Sequence, residues 1–258
     1  MSPGNVYIAR STRTGAVVAK IAKTQNSTTG KFLKSIIAAA ALSTCAAAQA
    51  DVTLNFEGDA PGIVFAGQQT YIDNYWIETY GGTLTTDLAG VITDGSDRYA
   101  CDTPLSCPVN NKSKYLSLLN DSYFYFGLED DSKFKVTGLQ ASFIGAGQAS
   151  FPATSGILQL QGYSANGAAV GGALQLALSG PTNGAFNFAN YSTGAFGNQL
   201  VSYVLVLGFA CDASGNCNRN SNLSNFAIDN IVTVPEPTTL ALLGLGLAGF
   251  GVSRRRRA

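Results

Sequence analysis

The sequence contains no histidine. That absence excludes Ser-His-Asp and Cys-His catalysis, histidine-ligated zinc or haem, and a histidine pH switch. Charge is scarce as well: Asp, Glu, Lys and Arg make up 12% of the chain, about half the usual globular share of roughly 25%. No G-x-S-x-G and no metalloprotease helix motif occurs. Tryptophan occurs once, at Trp76, and methionine once, at Met1. What is plentiful is apolar or turn-forming: 46% hydrophobic residues and 29 glycines in 258 residues. That composition excludes a charged disordered chain and points to a packed core with many turns.

The zero net charge conceals a segregation. Residues 1–50 carry six bases and no acid, and four arginines close the chain. Residues 51–234 keep six bases against fifteen acids, a net charge of about −9. Such a surface repels phosphate backbones, so no nucleic-acid partner is expected. It favours solubility and cation binding instead.

Both ends read as addresses. In 31–50, Lys31 and Lys34 precede an apolar run from Ile36 to Ala48, and Ala48-Gln49-Ala50 forms an A-x-A cleavage site. This is the pattern of a secretory signal helix cut after Ala50, with 1–30 an upstream extension. At the other end stand Pro235-Glu236-Pro237, the uncharged run Thr238–Val252, and Arg254, Arg255, Arg256 and Arg257. Fifteen uncharged residues form a short hydrophobic helix, less than the roughly 20 that a permanent span needs. The arginines would stay cytoplasmic, which puts 51–234 outside the inner membrane. Gly244-x-Gly246-x-x-Gly249 matches a dinucleotide fingerprint, but it follows no strand and lies inside the apolar run, so no nucleotide is expected.

The order of these C-terminal elements resembles the PEP-CTERM sorting signal of Gram-negative bacteria. The resemblance implies export, recognition by an exosortase, transient residence in the inner membrane, and delivery to the envelope surface or extracellular matrix. It divides the chain into 1–50 (extension and signal peptide), 51–234 (ectodomain) and 235–258 (sorting signal).

The ectodomain reads as strands. Val52-Leu54-Phe56 alternate with Thr53 and Asn55. Runs over 71–80, 115–119, 123–128, 134–144, 157–163, 168–178, 201–209 and 226–234 follow, separated by turn clusters. Asn166-Gly167 marks a hairpin, Gly171-Gly172 a bulge, and the apolar run 201–209 a central strand. No convincing amphipathic helix appears. About ten short strands predict an all-β, antiparallel sandwich or barrel. After signal removal four cysteines remain, in CDTPLSC and CDASGNC. An even count in an exported chain reads as disulfides. Of three connectivities the local one, Cys101–Cys107 with Cys211–Cys217, comes first; C-x5-C is not the usual zinc spacing.

Asn55-Phe56-Glu57-Gly58 in the first strand and Ala227-Ile228-Asp229-Asn230-Ile231 in the last resemble the jelly-roll-like ectodomains of PEP-CTERM proteins, which are similar to carbohydrate-binding modules. That resemblance implies a β-sandwich and a structural calcium shared by Glu57 and Asp229, with Asp51 or Asp59 as possible additions. The other reading of both acids is turn hydrogen bonding. Tyr71, Tyr75 and Tyr80, with Tyr123 and Tyr125, offer rings for sugar stacking. Residues 75 and 80 differ in parity, however, so the three cannot share a face, and Trp76 is expected in the core. Fifteen acids could supply a glycosidase pair, yet the sequence selects none, and Glu129-Asp130-Asp131 reads as a solvated turn. The expectation is a non-enzymatic surface or matrix protein that binds exopolysaccharide. Matrix adhesion without a small ligand and a carbohydrate-active enzyme are the alternatives. An aromatic strip on an open sheet face would favour the first, and a cleft with facing carboxylates the last.

Overall fold

The computed structural model describes residues 51–60, 62–81, 88–97, 101, 105–219 and 222–236. Its strands in chain order are β1 (Val52–Leu54), β2 (Gly62–Phe65), β3 (Gln69–Ile72), β4 (Tyr75–Tyr80), β5 (Leu88–Asp94), β6 (Leu105–Ser106), β7 (Lys114–Leu118) and β8 (Tyr123–Leu128). The second half continues with β9 (Phe134–Phe143), β10 (Gly145–Ala146), β11 (Thr154–Tyr163), β12 (Ala169–Ser179), β13 (Ala189–Ser192), β14 (Tyr203–Cys211), β15 (Cys217–Asn218) and β16 (Phe226–Pro235). One 3-10 turn, Gly194–Asn198, is the only helical element among the described residues. None of them forms a helix long and apolar enough to cross a membrane. The expected signal helix and the helix over 238–252 lie outside the described residues.

Two seven-stranded antiparallel sheets face each other. The first runs β13-β9-β16-β7-β5-β2 with β1 on β16; the second runs β12-β11-β14-β8-β4-β3 with β15 on β14. β6 and β10 make a small ribbon. Alternation builds the core between the sheets. β4 buries Tyr75, Ile77 and Thr79, and β8 buries Phe124 and Phe126. Leu116, Leu118, Val136, Phe226 and Ile228 of the first sheet join them in one cluster. Tyr75 and Phe126 each lie against Phe134, with centroids at 6.2 and 5.6 Å.

The all-β expectation holds, with more strands than expected. The run 71–80 is a hairpin, because Asp73 takes φ 52° at a turn, a conformation that Asp and Asn tolerate better than other side chains. β5 went unpredicted because its burial pattern has no period of two. It packs so closely on β7 that a Cβ at Gly90 would sit 2.0 Å from the Ser117 carbonyl. Only glycine fits there.

β16 carries the feature that positions one candidate site. Its register against β9 slips between Asp229 and Val232, where Asn230 takes φ 48°. The bulge resets parity, so Ile228 and Ile231 both reach the core while Asp229 points to the outer side. At the same place β16 exchanges neighbours: β7 pairs with Phe226–Ile228, and β1 with Ile231–Thr233. The strand then runs through Pro235, opposite Phe134, and the Glu236 N–H donates to the Lys133 carbonyl at 2.8 Å. Pro235 therefore ends the last strand.

Candidate functional site

The outer face of the first sheet is covered. Tyr115, Leu119, Ile144 and Ala227 form a second, smaller core there, packed against Val91, Leu105, Cys107 and Phe188. The Cys101–Cys107 disulfide holds the covering segment, and Phe188 meets the Tyr115 ring edge-on at 5.1 Å. Burial pushes the Tyr115 phenol up to about 12. Cys211–Cys217 clasps the turn between β14 and β15. Both local pairings are the expected ones.

Asp229 lies under the same cover and is 0% exposed. Its Oδ2 accepts from Asn111 Nδ2 (2.9 Å), Ser113 Oγ (2.7 Å) and Asn230 Nδ2 (3.1 Å), and its Oδ1 accepts from the Asn230 N–H (2.8 Å). Desolvation nevertheless holds its pKa above the ordinary 3.8; the side-chain and backbone hydrogen bonds oppose the rise, and the Glu57 charge adds to it. Glu57 follows β1, where its Oε1 accepts the Lys114 N–H at 2.9 Å. The structure thus brings the two expected acids together at the split between β1 and β7. Glu57 lines an open polar depression with Asn110, Asn111, Ser113, Gln140 and Asn190. Asp51 and Asp59 are not in that lining, and Asp59 faces an apolar gap beside Phe56 and Ile77. Among the described residues no group of three or more His, Cys, Asp or Glu is placed to hold a metal. The donors present are nonetheless two carboxylates, two carboxamides and a hydroxyl. Their oxygens are of the hard type calcium takes. The two carboxamides, however, turn Nδ2 and Ser113 its Oγ–H toward Asp229, so an ion there would require these side chains to turn their oxygens inward.

The outer face of the second sheet is aromatic, and no described segment crosses it. Strand register sorts it into rows. Tyr71 pairs with Trp76, Trp76 with Gly127, Gly127 with Tyr203, and Tyr203 with Tyr163. One row thus places four aromatic residues across five strands, a span of about 19 Å at the usual strand spacing. Gly127 leaves room for the indole: a Cβ there would lie 2.7 Å from Trp76 Cζ2. The next row is Gln69, Glu78, Tyr125, Leu205 and Gln161. The third holds Tyr80, Tyr123, Leu207, Gln159 and Gln175.

Rings in these rows touch. Tyr163 stacks on Tyr203 at 5.1 Å, Tyr80 on Tyr123 at 5.3 Å, and Tyr125 meets Tyr203 edge-on at 5.9 Å. The Tyr80 hydroxyl donates to Glu78 Oε1 at 2.7 Å. That bond is the main reason the Tyr80 pKa is pushed up to about 12, with burial and the Glu78 charge adding to it.

Two expectations need correction. Tyr75 is 0% exposed and bonds Thr233 through its hydroxyl in the core, so it cannot contact a ligand. Trp76, expected inside, is on the outer face against Tyr203 at 6.2 Å. Both follow from the parity of β4, which buries the odd positions. Tyr71 (57% exposed) and Tyr80 are on the open face. Tyr163 and Tyr203 were missed. The alternation Gln159-Gln161-Tyr163 could have flagged the former, whereas the apolar run around Tyr203 has no visible period.

These observations define a two-sheet antiparallel protein with an aromatic face that no described segment crosses. Residues 233–257 match the PEP-CTERM protein-sorting motif, which implies an exosortase-processed protein, exported and sorted to the cell surface. Pro235 and Glu236 of that match are described above; Pro237 and Arg254–Arg257 lie outside the described residues. The fold is similar to the crystal structure of a DUF4465 family protein from Bacteroides caccae ATCC 43185, with TM-score 0.50 and 13% identity over 72% of this chain and 100% of that one. At that identity the likeness concerns fold alone. A family 16 carbohydrate binding module (TM-score 0.26, 15% identity, 57% of this chain and 85% of that one) and a mutant of the family 29 module CBM29-2 (0.30, 11%, 68% and 85%) overlap too weakly to define a shared architecture. No curated protein matches the chain.

Proposed function

We propose that this exported protein reaches the surface through an inner-membrane sorting stage and there binds exopolysaccharide without catalysing a reaction. The row Tyr71, Trp76, Tyr203 and Tyr163 carries the reading. Tyrosine and tryptophan present an apolar ring face with a hydrogen-bonding edge, which matches a pyranose ring. A flat sheet face aligns several such rings, as a polymer requires and a small metabolite does not. The pairing of the first strand with the last, β1 with β16, supports a jelly-roll-like topology. Against catalysis stands the burial of Asp229: it does not line the depression that Glu57 lines and is sealed beneath Asn111 and Ser113, out of a substrate's reach. Affinity electrophoresis of the purified protein in polysaccharide gels tests the reading. Tyr163→Ala/Tyr203→Ala should abolish retardation while the melting temperature stays near wild type. Retained retardation would exclude the aromatic row as the site.

Calcium is the proposed cofactor, held by Asp229 and Glu57 with Asn111, Ser113 and Asn230 around them. It would supply the positive charge that two neighbouring carboxylates in an acidic domain lack, and so fasten β1 and β7 to β16.

A further inference from the structure

The charge on the aromatic face is not random. Among the outward residues of its three rows, Glu78 is the only ionisable group other than tyrosine. It occupies the middle row, next to Tyr125. The Tyr80 hydroxyl donates to Glu78 Oε1. The flanking polar residues, Gln69, Gln159, Gln161 and Gln175, are neutral amides. Lys114 and Lys135 stand on β7 and β9 of the first sheet and Lys112 in the connection into β7, whereas Lys133 ends the turn between β8 and β9. Among the described residues the guanidinium nearby is that of Arg219, at the end of the third row, 5.1 Å from the Tyr123 centroid. It donates to the Asp121 carbonyl and feels the Asp121 charge. Asp73, Glu129, Asp130 and Asp131 sit in the turns after β3 and β8, at the end where the first row runs. A polymer laid along the rings therefore meets one central carboxylate and, at one end, a rim of four acids against the single Lys133, with Arg219, bonded to Asp121, at the other end.

We propose that this face selects neutral polysaccharide and rejects uronate polymers, with Glu78 as the discriminating residue. The inference rests on the carbohydrate-binding reading above. A carboxylate accepts hydroxyl hydrogens from a neutral sugar strongly. Towards a sugar carboxylate it has only repulsion to offer, which salt screens over a Debye length of about 10 Å at 0.1 M. Glutamine in its place still accepts from Tyr80 and from a hydroxyl, and removes the charge.

The full-length protein, Glu78→Gln and Tyr125→Ala are run in gels of neutral polymers (hydroxyethylcellulose, galactomannan, dextran) and of uronate polymers (alginate, polygalacturonate), at 20 mM and 500 mM salt. Wild type should be retarded by at least one neutral polymer and by no uronate polymer at low salt. Glu78→Gln should narrow that preference by about tenfold at low salt and by much less at high salt, where charge is screened. Tyr125→Ala should weaken neutral binding about fivefold, on the order of 1 kcal/mol for one ring. Wild-type retardation by alginate at low salt, lost in Tyr125→Ala, would overturn the selectivity and leave the binding face standing. An unchanged preference in Glu78→Gln would overturn the role of that residue. No retardation by any polymer, or retardation indifferent to Tyr125, would overturn the binding reading itself.

Discussion

The two outer faces of the sandwich are built from the same alternation and meet opposite fates. On the first sheet, the connection carrying Cys101–Cys107 and the segment around Phe188 cross the face, so Tyr115 and Asp229 become interior residues. On the second sheet no described segment crosses, and Tyr71, Trp76, Tyr80, Tyr125, Tyr163 and Tyr203 stay on the surface. A tyrosine on an outward strand position is thus structural or available according to what passes over it. Residue type does not decide between the two.

Paired substitutions break this comparison most directly. Tyr115→Ala empties the centre of the second core and should cost about 3 kcal/mol, whereas Tyr125→Ala should stay within about 1 kcal/mol. Urea melts of both variants check the contrast, and equal losses would mean that the aromatic face is as structural as the covered one.

Calcium sharpens the comparison next, because its proposed site lies only on the covered side. Saturation at a hundredfold excess over Kd stabilises by about 2.7 kcal/mol, so chelator should lower the melting temperature and Asp229→Asn should remove the response. The pH dependence has a definite sign. The folded pKa of Asp229 lies above 3.8, so its contribution without metal is greatest below that value and is lost as pH rises through the folded pKa. Metal-free wild type should therefore lose stability as pH rises through that folded pKa, a slope that Asp229→Asn removes, and the calcium increment should shrink on acidification. A melt indifferent to chelator would leave Asp229 as a hydrogen-bonding hub alone.

Smaller effects follow from the disulfides. Each closes a loop with sequence separation 6, which in the chain-entropy treatment stabilises by about 2 kcal/mol. Cys101→Ser/Cys107→Ser should also loosen the cover and raise amide exchange around Tyr115. Cys211→Ser/Cys217→Ser, on an exposed turn, should leave that region unchanged.

The smallest effect concerns the junction with the sorting signal. Pro235 is paired in β16 and the Glu236 amide is bonded to Lys133. The last strand therefore holds both residues in place, and mass spectrometry of the mature protein should find a C-terminus at or beyond Glu236. A terminus before Pro235 would show that processing precedes or opens the last strand.

The sequence alone made the strand class, the local disulfides and the sorting motif legible, because each is written in neighbouring residues: alternation, cysteines six apart, and a run of elements ending in Arg254–Arg257. It also indicated that Tyr75 and Tyr80 face opposite ways, since parity is a local property. It could not say which of the two faces inward, and so Tyr75 was taken for a ligand contact and Trp76 for core. That choice depends on which side of β4 meets the first sheet. The approach of Glu57 to Asp229, the αL bulge at Asn230 that turns Asp229 outward, and the alignment of Tyr71, Trp76, Tyr203 and Tyr163 are likewise decided by strand register across the sheets. Register joins residues far apart in the chain, and only the packing of the whole sandwich sets it.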